Sequence, residues 1–127
     1  MASFPHVRRE RIRFRDCDQM GHVNNAVYST FLEEARIEVL GGLAAFILER
    51  VEIDFRSELH AGEEIEVRTR CSRIGTKSFE LEHEIHAEGR LAAEAKSVLV
   101  GYDYVLAQSV PLSDDLKDRL SGSRASA

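Results

Sequence analysis

Between Ile65 and Ile85 the chain alternates with a period of two. Ile65, Val67, Thr69 and Cys71 stand against Glu64, Glu66, Arg68 and Arg70, and Phe79, Leu81, His83 and Ile85 against Glu80, Glu82, Glu84 and His86. Successive side chains of a strand point to opposite faces, so the pattern predicts two strands, each half buried and half wet, joined by a hairpin around Gly75. The same alternation marks a first strand over 9–15, with Glu10, Ile12 and Phe14 on one side and Arg9, Arg11, Arg13 and Arg15 on the other. It recurs where Val51, Ile53 and Phe55 alternate with Glu52, Asp54 and Arg56. We read that strand as starting near Ala44, although the apolar run 43–48 would equally close a helix, because period alone does not sort short apolar runs. A turn at Glu88-Gly89-Arg90 opens a fifth strand over 91–104, more uniformly apolar near Val98-Leu99-Val100, as a central strand is.

From Tyr28 the period lengthens. Phe31, Leu32, Ala35 and Val39 fall on one side of a helix, with Glu33, Glu34, Arg36 and Glu38 mostly on the other, and Gly41-Gly42 ends it. Glu33 and Arg36 read as a surface pair at i,i+3. A short terminal helix over 111–120 has Ser113 as its N-cap and Asp114 and Asp115 in its first turn, and 121–127 reads as a flexible tail. The order strand, loop, helix, four strands defines an α+β domain: a five-stranded antiparallel sheet around one long central helix, with a short C-terminal helix, in a single domain spanning 1–127. Such a sheet leaves a face and its edges open, which calls for a homodimer.

Composition narrows the options. The 127 residues are 43% hydrophobic and 31% charged with only two prolines, which suits one folded core and no disordered segment beyond the ends. A net charge of −5 offers no polycation for nucleic acid, and the arginine stripe reads first as a charged strand edge and second as a landing place for phosphates. No apolar run approaches the ~20 residues of a membrane helix, and the N-terminus lacks the apolar core of a secretory signal, so cytoplasmic residence and reduced Cys17 and Cys71 are expected.

The chemistry gathers in the polar segment 16–25, which leads into the helix. Its two acids are Asp16, at the end of the first strand, and Asp18. Gly21 permits an unusual backbone angle or a close approach of substrate. Asn24 and Asn25 read first as helix caps. The free N–H groups at the helix start favour developing negative charge, which makes the Asn25 backbone amide the candidate oxyanion donor. Metal binding by Asp16, Asp18 and His22 finds no recognisable zinc spacing, so no metal is expected.

The run Asp18-Gln19-Met20-Gly21-His22-Val23-Asn24-Asn25-Ala26-Val27-Tyr28 resembles the hotdog-fold thioesterases of the 4-hydroxybenzoyl-CoA thioesterase type, in which an Asp-x-x-Gly-His-Val-Asn-Asn-x-x-Tyr segment precedes the central helix. The likeness continues through 31–36 and, more weakly, through 51–55 and 62–65. It implies hydrolysis of an acyl-CoA or acyl-carrier-protein thioester without metal or other cofactor, coenzyme A being part of the substrate, at sites formed between two subunits of a dimer or a dimer of dimers. Asp18 matches the family's acid, which attacks the carbonyl or deprotonates a water that does, with Asp16 a rival for that role; His22 matches the family's histidine, which holds a water or the carboxylate or else fixes the turn. Tyr28 matches an aromatic that contacts the acyl group or fills the core. Arg73, Lys77 and Ser78 resemble the region where relatives meet the nucleotide, though an ordinary charged hairpin explains them equally. Plant acyl-carrier-protein thioesterases, which share His-Val-Asn-Asn, have asparagine where Met20 stands here, so their polar network does not carry over whole. Another hotdog branch uses a glutamate on the central helix, which gives Glu33 and Glu34 a secondary claim. The rival functions are a non-catalytic acyl-CoA-binding hotdog protein and a hotdog hydratase, whose longer overhanging Asp and His segment is not found.

Overall fold

The computed structural model describes residues 4–122. The chain runs β1 (His6–Arg11), a single 3-10 turn (Phe14–Asp16), α1 (Asn25–Leu40), β2 (Phe46–Phe55), β3 (Glu64–Ile74), β4 (Ser78–Ala87), β5 (Arg90–Asp103), β6 (Gln108–Ser109) and α2 (Asp114–Gly122). The five long strands form one antiparallel sheet in the order β1-β3-β4-β5-β2, and the two-residue β6 pairs with β5. The expected α+β architecture is present, with one strand more than expected. Residues 121 and 122 belong to α2 rather than to a tail; the remainder of the expected tail lies outside the described residues.

The inward positions of β3 and β4 are those that the alternation marked: Ile65, Val67, Thr69, Cys71, Phe79, Leu81, His83 and Ile85 are all buried. They meet α1 in two apolar clusters. One holds Tyr28, Phe31, Leu32 and Ala35 of α1 with Ile65, Val67, Ile85 and Ala93. The other holds Val39 and Leu40 with Cys71, Leu81, Leu99 and Leu120.

A buried polar chain lies between the two clusters. Arg36 Nη1 donates to Ser97 Oγ at 3.1 Å, Ser97 Oγ meets His83 Nε2 at 3.0 Å, and His83 Nδ1 meets Thr69 Oγ1 at 3.0 Å. Arg36 is therefore not half of a surface pair with Glu33. It crosses from helix to sheet, 4% exposed, because Ser97 supplies an acceptor where the apolar stripe would otherwise exclude a charge. Burial pulls the His83 imidazole down to about 3, and the neighbouring Arg36 cation adds to the effect. A neutral imidazole needs one donor and one acceptor, and two hydroxyls provide them.

Two strand limits differ from expectation. β1 ends at Arg11, and Phe14 is 89% exposed instead of buried, because the Asp16 carboxylate accepts from the Arg13 backbone and guanidinium and folds 14–16 into a turn. β2 begins at Phe46 rather than near Ala44. Gly41 closes α1 at φ +75°, with its N–H donating to Ile37 O, and the Phe46 N–H then donates to Leu43 O, which commits 43–46 to a turn.

The two sheet edges are unlike. On β1 the arginines are matched by acids of β3, Arg9 with Glu66 at 2.9 Å and Arg11 with Glu64 at 3.6 Å, which makes the stripe a charged strand edge. On β2, Ile47, Leu48, Val51 and Phe55 are all at least 40% exposed. Among the described residues neither Cys17 nor Cys71 forms a disulfide, and no described helix is long and apolar enough to cross a membrane.

Candidate active site

The segment before α1 is a miniature hairpin. Cys17 and Val23 form an antiparallel bridge, the Asp18 N–H donates to His22 O at 2.8 Å, and the Gly21 N–H returns to Asp18 O at 3.0 Å. Gly21 sits at φ +80°, and nothing lies within 4 Å of where its Cβ would be, so it serves the backbone angle and not a close approach within this chain.

The turn aims one carboxylate and ties down the other. Asp16 is buried; burial opposes its ionisation, but the hydrogen bonds and charge of Arg13 outweigh that and hold the carboxyl below its ordinary value. Its backbone oxygen also accepts from the Asn24 N–H at 3.0 Å. Asp16 is thus consumed in shaping the loop. Asp18 is exposed, and its Oδ1 accepts from the Met20 N–H at 2.9 Å and the His22 N–H at 3.3 Å. Among the described residues nothing donates to its Oδ2.

Asp18, His22, Asn25 and Tyr28 line one cleft of about 320 Å³, together with Val23 and Phe55, Arg56, Ser57 and Glu58 from the end of β2. That volume is within the range of small-molecule sites. Tyr28 is 3% exposed and packs edge-on against Phe31 and Phe55, so it fills the core and floors the cleft at once. Burial raises its phenol above the ordinary value. Asn24 caps α1, its side chain accepting from the Ala26 N–H at 2.9 Å while its carbonyl accepts from Val27. The Asn25 N–H, first of the helix, has no acceptor among the described residues, and the positive end of the helix dipole adds to it.

The His22 side chain does not reach for Asp18. Its Nε2 lies 3.1 Å from Glu58 Oε2, and it is the His22 backbone that steadies the acid. Arg73, Lys77 and Ser78 are not brought to this cleft within one chain. They flank the β3–β4 hairpin, at the end of the sheet where Ser78 pairs with Val100, whereas the cleft lies where Phe55 pairs with Ala93. The length of β3, on the order of 30 Å, separates the two ends.

Pattern reading missed the cleft's second wall. Arg56 is held by Glu94 at 2.8 Å, and Glu58 and His60 stand beside His22. The alternation of exposed Glu58 and His60 about the buried Leu59 carries that signal in the sequence.

Known proteins resemble this one along nearly all of its length. A thioesterase from Thermus thermophilus, solved as a complex with coenzyme A and zinc, is 32% identical with a TM-score of 0.87, covering 96% of each chain. A predicted thioesterase from Bacillus stearothermophilus is 25% identical with a TM-score of 0.88, covering 93% of this chain and 95% of that one. A probable thioesterase from Escherichia coli is 25% identical with a TM-score of 0.80, covering 92% and 97%. A search of curated proteins gave no match. With residues 12–120 matching its family profile, the chain belongs to the thioesterase-like superfamily and has the hotdog-like fold of these neighbours.

Proposed function

We propose that the protein hydrolyses an acyl-CoA thioester in the manner of the 4-hydroxybenzoyl-CoA thioesterase type, with Asp18 as base or nucleophile. The observation that carries this reading is the free Oδ2 of Asp18 in one cleft with the open Asn25 N–H at the start of α1. The thioester oxygen accepts from that N–H, and the helix end stabilises the negative charge as the carbonyl becomes tetrahedral. Either Asp18 takes a proton from water, whose oxygen then adds to the carbonyl carbon, or its own oxygen adds and a water later cleaves the resulting anhydride. In both routes the carbon–sulfur bond breaks and the products are a free acid and a thiol. Coenzyme A in the complex of the Thermus relative supports a CoA thioester over other esters. His22 is a positioning residue that steadies the acid through its backbone, and Tyr28 meets the acyl group.

The active unit is a homodimer paired across β2. The edge position of β2 and its exposed Ile47, Leu48, Val51 and Phe55 support this pairing. An antiparallel pairing of two β2 strands lays the hairpin end of one copy near the cleft end of the other, which gives Arg73, Lys77 and Ser78 a route to the nucleotide of the neighbouring site.

Thiol release from acetyl-, hexanoyl-, palmitoyl- and benzoyl-CoA, run beside Asp18→Asn, tests the reading. Turnover of at least one substrate is expected, with a ~10²–10⁴-fold fall in kcat for a variant whose circular dichroism is unchanged. Binding of a panel member without turnover, or full activity in the variant, would replace the hydrolase with a binding protein or remove Asp18 from the chemistry.

A further inference from the structure

His22, Glu58 and His60 place their ligating atoms within 4.8 Å of one another at the rim of the cleft. We infer that these three side chains form a binding site for one divalent transition-metal ion of the zinc class. A tetrahedral ion with bonds of ~2.0–2.1 Å sets neighbouring ligand atoms about 3.3 Å apart. Glu58 Oε2 lies 3.1 Å from His22 Nε2 and 3.7 Å from His60 Nε2, so two edges of that tetrahedron are close to formed before any ion enters. Two imidazoles and a carboxylate suit a borderline ion, and three protein ligands leave the fourth position for water or a ligand in the cleft.

The backbone explains why the three converge. His22 and His60 form an antiparallel bridge, with the Val23 N–H donating to Leu59 O at 2.8 Å, so the two histidines are directly opposite one another. Their rings sit 5.4 Å apart, edge to face. Glu58 precedes His60 by two residues in an extended segment and so shares its face.

The groups that would hold the ligands in place are already set behind them. His60 Nδ1 lies 3.2 Å from Glu63 Oε1, which also accepts from the His60 N–H at 2.7 Å, and Arg90 clamps both oxygens of Glu63 at 2.7 Å. A carboxylate accepting from Nδ1 fixes the proton there and leaves the Nε2 lone pair for an ion, as carboxylate–histidine–metal arrangements do. An ion pair between His60 and Glu58 alone would not need Glu63 to be locked in this way. Occupancy ties the Asp18 hairpin to the β2–β3 connection, so it stiffens the turn that presents the acid.

The test is a titration of the metal-stripped full chain with Co²⁺, read by its visible d–d bands, together with the melting temperature in Zn²⁺. Neither readout requires turnover, so failure here is distinguishable from failure of the hydrolase reading. Saturation at one ion per chain is expected, with a rise in melting temperature in excess Zn²⁺. His60→Ala should weaken Co²⁺ binding at least tenfold, and Glu63→Gln, which touches no ion, about tenfold. Should His60→Ala not fold, the histidine ring resonances of the native chain decide: those of His22 and His60 must respond to stoichiometric metal and that of His83 must not. The site is refuted by the lack of one-to-one saturation, by equal affinity in a folded His60→Ala chain, or by a thiolate charge-transfer band that Cys17→Ser abolishes.

Discussion

Two regions of this molecule hold a histidine between oxygen-bearing neighbours, and burial sets them to opposite uses. At mid-sheet, His83 is 2% exposed between the hydroxyls of Thr69 and Ser97, with the fixed charge of Arg36 one bond further on. Among the described residues its ring nitrogens meet only these hydroxyls and no carboxylate, so burial and the Arg36 cation keep the ring neutral until the pH falls to about 3. At the rim, His22 and His60 converge on the carboxylate of Glu58, with side chains 35%, 50% and 61% exposed. Solvent reaches the side chains there, and a carboxylate stands opposite both rings. One histidine uses its hydrogen bonds to hold helix to sheet; each of the others turns a partly solvated nitrogen toward a carboxylate at the surface.

The largest effect that separates them is on stability. His83→Ala leaves a cavity and strips partners from two buried hydroxyls, and should cost about 3 kcal/mol in a urea melt. A loss under ~1 kcal/mol would mean that the apolar clusters on either side close over the gap.

Next in size is the pH dependence. The ordinary histidine value is 6.5, and the folded value of His83 is about 3. The unfolded chain therefore binds the proton first, and folding free energy falls as the solution is acidified through that window. The slope approaches ~1.4 kcal/mol per pH unit and levels off below the folded value. Above the ordinary value the contribution is complete. His83→Gln, which does not titrate, should flatten that limb in denaturation curves collected across the window.

The smallest expected effect is at the rim. His22→Gln should stay within ~0.5 kcal/mol of the native stability, because the side chain it removes is partly solvated and its backbone bond to Asp18 remains. A much larger loss in the same melt would place His22 with His83 among the groups that build the fold.

The sequence disclosed whatever repeats with a simple period. The faces of β3 and β4 are legible in Val67, Cys71, Leu81 and Ile85, and the Ser113 cap in its place before two aspartates; its Oγ accepts from the Leu116 N–H at 3.2 Å. Arg36 was illegible because charge predicts exposure until a partner on a distant strand is known, and Ser97 lies 61 residues away. Phe14 misled for a similar reason: alternation continues in the letters after Arg13 and Asp16 have already turned the backbone. For the site, the motif before α1 named Asp18, His22 and Asn25, and the fold supplied what no local pattern holds. Asp16 is occupied by Arg13, and the second wall comes from 55–58.

The two ends of α1 are finished differently. At its far end Arg119 Nη1 donates to Leu40 O at 2.7 Å and fills the space beside Gly41, where an added Cβ would lie 2.6 Å from that nitrogen. The closing carbonyls of a helix carry roughly half an electron of negative charge, and the guanidinium discharges it. The opposite pole, the N–H of Asn25, has no hydrogen-bond acceptor among the described residues and opens on the cleft that Asp18 and Glu58 also line. Because the influence of either pole fades within about one turn, α2 can drift in sequence without altering the field at Asp18. The terminal helix is free to evolve for stability while the start of α1 evolves for chemistry.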